Sequence, residues 1–564
     1  MNRFFLTSIT LAALLGTTTS ADAKPIKLEW DSSGYFRTRA ITLTNLAPTD
    51  ATFIGTADDN YEIPEIRRTS YITSRLRITP TLSWGEAATL HFQIDALDDV
   101  LWGDNNGLSA APLFAIDTSD QHYLGGERDA LRMHKAWLQF KVPVGIVRVG
   151  RMPSHWGMGL LANGGGNANF DPDPARPKHI TERKSLDTYF DDDFGDNHDG
   201  SIADRVLFLT KPLSIAKTIA GKEDTSSKLV IGYAYDKISE APSLNAESAS
   251  SRRRPLGQQG FISRPGDDVN EHVGFMLWND PYAKFGGPWA RDTDELRLGS
   301  YFVWRHSERG STNPSDLDPA VRDTGSDVFI ADFWGRLRYG PLYAETEVLT
   351  IFGETFGGIP FPAANEDKDA NIQGGVLRVG YFGVDEQSAP KFDLTFEVGH
   401  ASGDEDISDG EFKQRPLHSD FNVGLIMFEE TLRELSARTY GPNFASAENP
   451  DGAVGFFSNG GVINANYIHP KFRYHVPSKN LTFVGSLLMA WVDNMPTTGP
   501  AMFFDDASGP FLGTEVDFAV KAQFSGKMHL SLETGYLHFG EALQQALPNA
   551  SGSFTLQSRI AFLW

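Results

Sequence analysis

The last thirteen residues of the chain, GSFTLQSRIAFLW, alternate strictly. Phe554, Leu556, Ile560, Phe562 and Trp564 fall on one face, and Thr555, Gln557 and Arg559 on the other. Segments of this kind, each about ten residues long, recur along the whole chain, and period-two alternation at that length predicts β-strands with one apolar and one polar face. In TSRLRITPTLSW, Leu76, Ile78, Pro80, Leu82 and Trp84 oppose Arg75, Arg77, Thr79, Thr81 and Ser83. In TLHFQIDA, Leu90, Phe92, Ile94 and Ala96 oppose His91, Gln93 and Asp95. KAWLQFKV sets Ala136, Leu138, Phe140 and Val142 against Lys135, Trp137, Gln139 and Lys141, and EVDFAVKAQF sets Val516, Phe518 and Val520 against Glu515, Asp517 and Lys521. About eighteen such segments are legible, a number good to about two because strand edges are the weakest part of such a reading.

The connections between these segments alternate in length. Residues 85–88, 143–145, 339–341, 477–479 and 525–527 make short ones, and residues 103–130, 155–203, 239–267, 307–325 and 401–460 make long ones. Short turns on one rim and long loops on the other are the arrangement of an outer-membrane barrel, with turns toward the periplasm and loops outside. A soluble sandwich or propeller also predicts alternating strands, but gives no reason for loop length to follow parity. Aromatic residues stand beside the short turns at Trp84, Phe140, Trp278, Tyr339, Phe524 and Trp564, as an interfacial girdle requires. The fold class expected is therefore all-β: one closed antiparallel transmembrane β-barrel of about eighteen strands. Because a bilayer tolerates no open sheet edge, the last strand should pair with the first, GYFRTRAITL.

Composition narrows the picture further. The chain has 564 residues, 40% of them hydrophobic and 12% aromatic, and a mean hydropathy of -0.29, too polar for a bundle of membrane helices. After residue 23 no apolar run approaches the ~20 residues of a spanning helix. The start of the chain reads as a secretory signal peptide over residues 1–23, with a charge at Arg3, an apolar core from Phe4 to Leu15, and Ala21-Asp22-Ala23 before Lys24 as the cleavage site. A retained short membrane stub is the alternative. Residues 24–564 then form a single barrel domain delivered to the cell outer membrane. The formal net charge of -23 argues against a nucleic-acid partner, and the absence of cysteine removes disulfides, thiol catalysis and cysteine-linked lipid.

Parity also sorts the charges. Arg37, Arg39, Arg75, Arg77, Lys135, Arg148, Arg336, Arg338 and Arg378 fall opposite the apolar faces, and on the lipid side each would cost ~2–4 kcal/mol at the midplane. They are therefore expected to line the lumen. Guanidinium groups bind carboxylate or phosphate at any working pH, so a ladder of them offers an anion many exchangeable sites. Asp332, Glu345, Glu347, Glu397, Glu515 and Asp517 read as inward too, and the competing interpretation is that lumen charges pair across the wall and stiffen it.

Three stretches, KAWLQFKVPVGIVRVGR, FEVGHASGDED and LGTEVDFAVKAQF, resemble the alginate-export type of outer-membrane porin, and the terminal aromatic strand resembles the signal read by the barrel assembly machinery. The family resemblance covers under a tenth of the chain. It implies an eighteen-strand channel exporting an anionic polysaccharide. The alternatives are a general or solute-selective diffusion porin, and a structural or adhesive surface barrel with a plugged lumen.

Two loop features remain. DDDFGDNHDG gathers Asp191, Asp192, Asp193, Asp196 and Asp199, of which Asp193, Asp196 and Asp199 are candidate Ca²⁺ ligands, although their spacing departs from the EF-hand loop and an acidic solvated surface accounts for them as well. No other cofactor is expected. Within 401–460, FNVGLIMFEETLRELSARTYG reads as a short amphipathic helix with Val423, Ile426, Met427, Leu432 and Leu435 on one face, suited to a lid over or within the mouth, or to packing on the outer rim. No G-x-S-x-G, H-E-x-x-H or phosphate-binding glycine loop is present, and His198 beside acidic residues, with His91 and His134 on strands, is what fourteen histidines produce by chance, so no enzymatic activity is expected.

Overall fold

Alternation along the chain becomes alternation across a wall. The computed structural model describes residues 28–47, 52–53, 61–62, 66–85, 87–101, 131–165, 200–222, 227–238, 269–291, 294–307, 326–355, 368–384, 390–405, 409–439, 458–476, 480–495, 508–524, 527–547 and 550–564. The proposed signal peptide, His198 and the aspartates at 191, 192, 193, 196 and 199 lie outside them.

Eighteen strands close the barrel: β1 (Leu28–Ala47), β2 (Ile66–Trp84), β3 (Ala88–Leu101), β4 (Leu131–Val142), β5 (Gly145–Pro153), β6 (Ile202–Thr210), β7 (Leu229–Ile238), β8 (Val269–Asp280), β9 (Glu295–Ser307), β10 (Ser326–Tyr339), β11 (Leu342–Thr355), β12 (Lys368–Val384), β13 (Pro390–Ala401), β14 (Ala465–Val476), β15 (Leu481–Val492), β16 (Phe511–Phe524), β17 (Met528–Phe539) and β18 (Gly552–Leu563). Each pairs antiparallel with its sequence neighbours, and β18 pairs with β1 from Thr44↔Phe554 to Tyr35↔Leu563, which closes the sheet. The expected seam between the first and last strands is the one found.

Spanning takes about 9–11 residues of tilted strand. β5 and β6, at 9 residues each, meet that minimum, while β1 and β2, at 20 and 19, project beyond it. The outward face carries apolar side chains on strands around the wall: Phe36, Leu138, Phe302, Phe333, Leu377, Phe396, Phe472, Phe518 and Ile560 are all exposed, as a surface solvated by acyl chains would be. Toward the long-loop rim, one outward row brings ring against ring across five strands, tilted at Tyr235–His272 and stacked from His272 onward. Tyr235, His272, Trp304, Phe329 and Phe352 have centroids 5.3, 5.2, 6.3 and 5.9 Å apart in that order. At the other rim Trp30, Trp84, Trp278, Phe524 and Trp564 are exposed, so the barrel carries an aromatic girdle at each end.

Loop parity holds with two refinements. The connections 211–228, which contain the helix α1 (Pro212–Ile219), and 281–294 lie on the short-turn rim yet are longer than the others there. The second packs on the neighbouring tight turn, Gly340 N–H donating to Asp294 Oδ1 at 2.8 Å and the Tyr339 hydroxyl to Gly286 O at 3.0 Å.

Apolar side chains are also buried inside the wall. Trp156, Met158, Leu160, Phe421, Val423, Leu425, Ile426, Met427, Phe428, Leu432 and Val462 form one cluster with inward residues of the strands. They belong to the described parts of two long connections, residues 154–165 and 409–439 with 458–464, which pack against the inner face of the barrel. An open aqueous lumen is the simplest expectation for eighteen strands, but here part of the bore is filled by chain.

Candidate functional site

The lumen has two unlike sides. On β18, β1 and β2 the register brings Arg37 directly opposite Arg75, and Arg39 directly opposite Arg559. Arg77 follows two residues along β2, its guanidinium 5.9 Å from the Tyr35 ring. Five arginines thus share three adjacent strands, with Arg37, Arg75, Arg77 and Arg559 all buried. Like charges directly opposite one another in a sheet are destabilising. Among their partners are Asp95 on β3, which accepts Arg77 Nε at 2.8 Å and Nη2 at 2.7 Å, and Gln557, which accepts Arg39 Nη2 at 2.5 Å.

A bulge adds to this cluster. Gln93 pairs with Lys135 but Ile94 pairs with Met133, leaving His134 as the extra residue. Two consecutive side chains, His134 and Lys135, are consequently buried on the same side, as a bulge permits. His134 Nε2 comes within 3.2 Å of Asp95 Oδ2, and Lys135 Nζ donates to Gly164 O at 3.0 Å. His91 stacks on Trp137 with centroids 4.7 Å apart.

Of the other predicted lumen charges, Arg148, Arg336, Glu345 and Arg378 are engaged in cross-strand pairs. Arg148 Nε donates to Gln139 Oε1 at 2.8 Å on the β4–β5 hairpin. Arg336 Nε and Trp334 Nε1 donate to Glu345 Oε1 at 2.9 and 2.8 Å, and the Tyr343 hydroxyl donates to the same carboxyl group. Arg338 lies 5.7 Å from the Phe382 ring, and Arg378 Nε donates to Glu397 Oε2 at 2.6 Å. Further pairs, Arg205–Asp236 and Arg473–Asp393, continue the pattern through residues that the sequence reading did not single out.

Asp332 and Glu347 are covered by the first in-folded segment. Trp156 Nε1 donates to Asp332 Oδ1 at 3.1 Å, and the backbone amides of Met158, Gly159 and Leu160 converge on the Glu347 carboxyl group, the last two at 3.1 and 3.2 Å. The second in-folded segment repeats the device. Leu425 and Ile426 amides donate to Glu515 Oε1 at 2.6 and 2.8 Å, and the Met427 amide to Oε2 at 2.7 Å. From there the chain runs into a π-helical turn (Met427–Leu432) continued by an α-helix (Arg433–Thr439), the first part approaching β1. Glu429 and Glu430 lie on that part. Val423, Ile426, Met427, Leu432 and Leu435, the residues whose spacing suggested an apolar face, are all buried.

The two segments touch each other: His418 N–H donates to Leu160 O at 2.8 Å, and Asn163 Nδ2 to Asp420 O at 3.2 Å. The second is rooted at the barrel wall through residues of the ASGD stretch. Ser402 Oγ donates to Lys413 O at 2.6 Å, the Lys413 amide donates to Asp404 Oδ2 at 3.0 Å, and the Gly403 amide donates to Asp493 Oδ2 at 3.0 Å. Sequence reading found the helix but not its anchors, because main-chain amides carry no signature in composition. The nearest signals were the glycines at 157, 159 and 424, which adopt φ of 56°, 86° and 77°. Among the described residues no group of three or more acidic, histidine or cysteine side chains is arranged to hold a metal.

No family model and no curated protein matches the sequence. Among solved structures, OpdQ of Pseudomonas aeruginosa is 7% identical with a TM-score of 0.43, covering 95% of this chain and 98% of that one. OccK11 (OpdR) of the same organism is 8% identical with a TM-score of 0.41, covering 94% and 95%. An anion-selective porin from Comamonas acidovorans is 9% identical with a TM-score of 0.35, covering 95% and 100%. These likenesses lie below the level at which a shared activity follows, and the closed eighteen-strand barrel rests on its own strand register.

Proposed function

We propose that this chain is an outer-membrane diffusion channel for small solutes, with a preference for anions set by the arginine wall of β18, β1 and β2. One observation carries the reading: the described residues 154–165 and 409–439, from two long-rim connections, pack against inward residues of the strands, and the turn at Met427–Leu432 approaches β1 of the basic wall. A constriction bordered by fixed charge acts through its local field, so the negative charge of the whole chain does not oppose an anion preference. Weak binding at several successive guanidinium groups also suits conduction, which needs entry without trapping. The apolar outer face and the two aromatic girdles support insertion in the outer membrane, with the Trp564 strand as the segment offered to the barrel assembly machinery.

Export of an anionic polysaccharide is the second reading, favoured by the resemblance of three stretches to alginate-export porins. A polymer needs a continuous path wide enough for a chain, and the apolar cluster inside the wall supports small solutes better. Planar-bilayer recording separates the two. Reversal potentials favouring chloride, permeation by small carboxylates in liposome swelling, and indifference to an added polyanion are expected for the diffusion channel. Block by micromolar alginate or another polyuronate with little small-solute permeation would sink it in favour of export.

A further inference from the structure

The two in-folded segments are fastened to the wall by the same chemistry at two separate places. Glu347 projects from β11 and Glu515 from β16, both with no exposed surface, and each gathers three consecutive backbone amides from a connection. A carboxyl group presents two oxygens and no fixed donor direction, so it can accept a fan of N–H groups that no neutral side chain of that size accepts. In both segments the residue entering the fan is a glycine at positive φ, Gly157 and Gly424. A Cβ on Gly157 would overlap the Glu347 carboxyl oxygen, and one on Gly424 would come within 2.9 Å of Glu515 Oε1. The glycines therefore have two reasons to be glycine: backbone conformation and the close approach of the carboxyl group.

The segments also bond to each other, through His418 N–H to Leu160 O and Asn163 Nδ2 to Asp420 O. Neither anchor acts alone: each segment is braced by its own carboxyl group on one side and by the other segment across the bore. We infer that Glu347 and Glu515 are the positioning residues of the constriction, fixing how far each connection reaches into the lumen and hence the size limit of the solutes admitted. The inference rests on the channel reading above and adds to it the two side chains that set the width. Neither residue needs to touch the solute. Both act through the backbone they hold.

The test uses full-length protein refolded or purified in detergent, with unheated gel mobility reporting the closed barrel. Glu347→Gln and Glu515→Gln each keep one acceptor oxygen and turn the other into a donor that faces an N–H, so the fan of bonds cannot be kept. Gly157→Ala and Gly424→Ala break the same anchors while leaving the carboxyl groups in place. Glu354→Gln, at an exposed outward position near the rim, is the control. Expected for all four anchor variants is a rise in unit conductance of roughly twofold with added current noise, since the narrowest part of a pore governs its current. A higher size cut-off in liposome swelling should accompany it, with the control unchanged. A merely structural role would lower the folded fraction and leave the unit conductance of the remaining channels as it was. Anchor variants that fold and conduct like the wild type overturn the inference while leaving the channel reading intact. A silent wild type with conducting variants supports the anchors and replaces free diffusion by a plugged resting state. Silence of every protein, folded, removes the channel reading and the inference together.

Discussion

Arg37 on β1 stands directly opposite Arg75 on β2, in the middle of a closed sheet and on its inner face. A directly opposed pair of like charges lowers the stability of a sheet, and neutral residues would fit a lumen wall equally well. The pairing is understandable if the field it makes is used. Replacing both by glutamine should shift the reversal potential in a salt gradient away from the anion direction while leaving unit conductance within about a factor of two, because the wall is relieved of charge but not moved. An unchanged reversal potential would show that the anion preference, if present, arises elsewhere.

Asp95 holds Arg77 through two parallel hydrogen bonds and lies 3.2 Å from His134, with the Arg77 and Asp95 side chains 1% and 0% exposed. Removing one partner of such a pair strands a buried charge, which typically costs about 3–5 kcal/mol, whereas replacing both by apolar groups of similar volume is often neutral. Asp95→Ala should therefore lower the urea midpoint of unfolding in lipid vesicles strongly, and Asp95→Leu with Arg77→Met should restore most of it. Equal loss in the single and double variants would mean that Asp95 matters through packing or through His134 instead.

Phe518 and Phe524 lie on the outward face of β16 and are each 47% exposed, one mid-strand and the other at the strand's last residue. Equal exposure with unequal depth makes them a ruler for the bilayer. Phe518→Arg should destabilise the folded barrel by ~2–4 kcal/mol and Phe524→Arg by only ~0–1 kcal/mol, following the depth dependence of charge on a lipid-facing wall. Equal penalties, or none, would contradict the assignment of this face to acyl chains.

Much of this wall was legible from alternation alone. The outward residues of β18, the inward Glu515 and Asp517 of β16, and the inward Arg75 and Arg77 of β2 follow from counting by two, because the pleat leaves a side chain only two directions. Partners were not legible to the same degree. Arg77 meets Asp95 across the short turn after Trp84, in a register set by Trp84 lying opposite Ala88 that alternation alone does not supply, and the inward turn of His134 depends on a bulge that counting by two skips over. The helix of residues 427–439 was visible in its spacing, but its π-helical opening, with the Thr431 amide reaching Ile426 O at 2.8 Å, was not. Its place was legible only as a choice between a lid over or within the mouth and packing on the outer rim. The anchors at Glu347 and Glu515 were the least readable, since their donors are backbone groups common to every residue type. Inward acidic residues looked alike in the sequence; the structure divides them into partners of arginine, such as Glu345 and Glu397, and holders of chain.

The closing seam offers a last test, because it joins the two ends of the chain through one glycine. Trp564 N–H donates to Gly34 O at 3.2 Å, and the indole lies where a side chain at position 34 would go: a Cβ there would be 2.6 Å from Trp564 Cζ2 and would also overlap the carbonyl of Arg77 on β2. Gly34→Val therefore crowds both neighbours of β1 at once, the terminal strand through a side chain and β2 through its backbone. Overpacking of this kind costs about 1–3 kcal/mol where the surroundings can shift, and more where the obstacle is backbone. The variant should give less of the fast-migrating folded band on unheated gels, and adding Trp564→Ala should recover only part of it, since the clash with Arg77 remains. Full recovery would place the whole effect in the indole. No loss in the single variant would mean that β1 and β18 do not meet in this register, and the closure of the barrel at Gly34 and Trp564 would have to be redrawn.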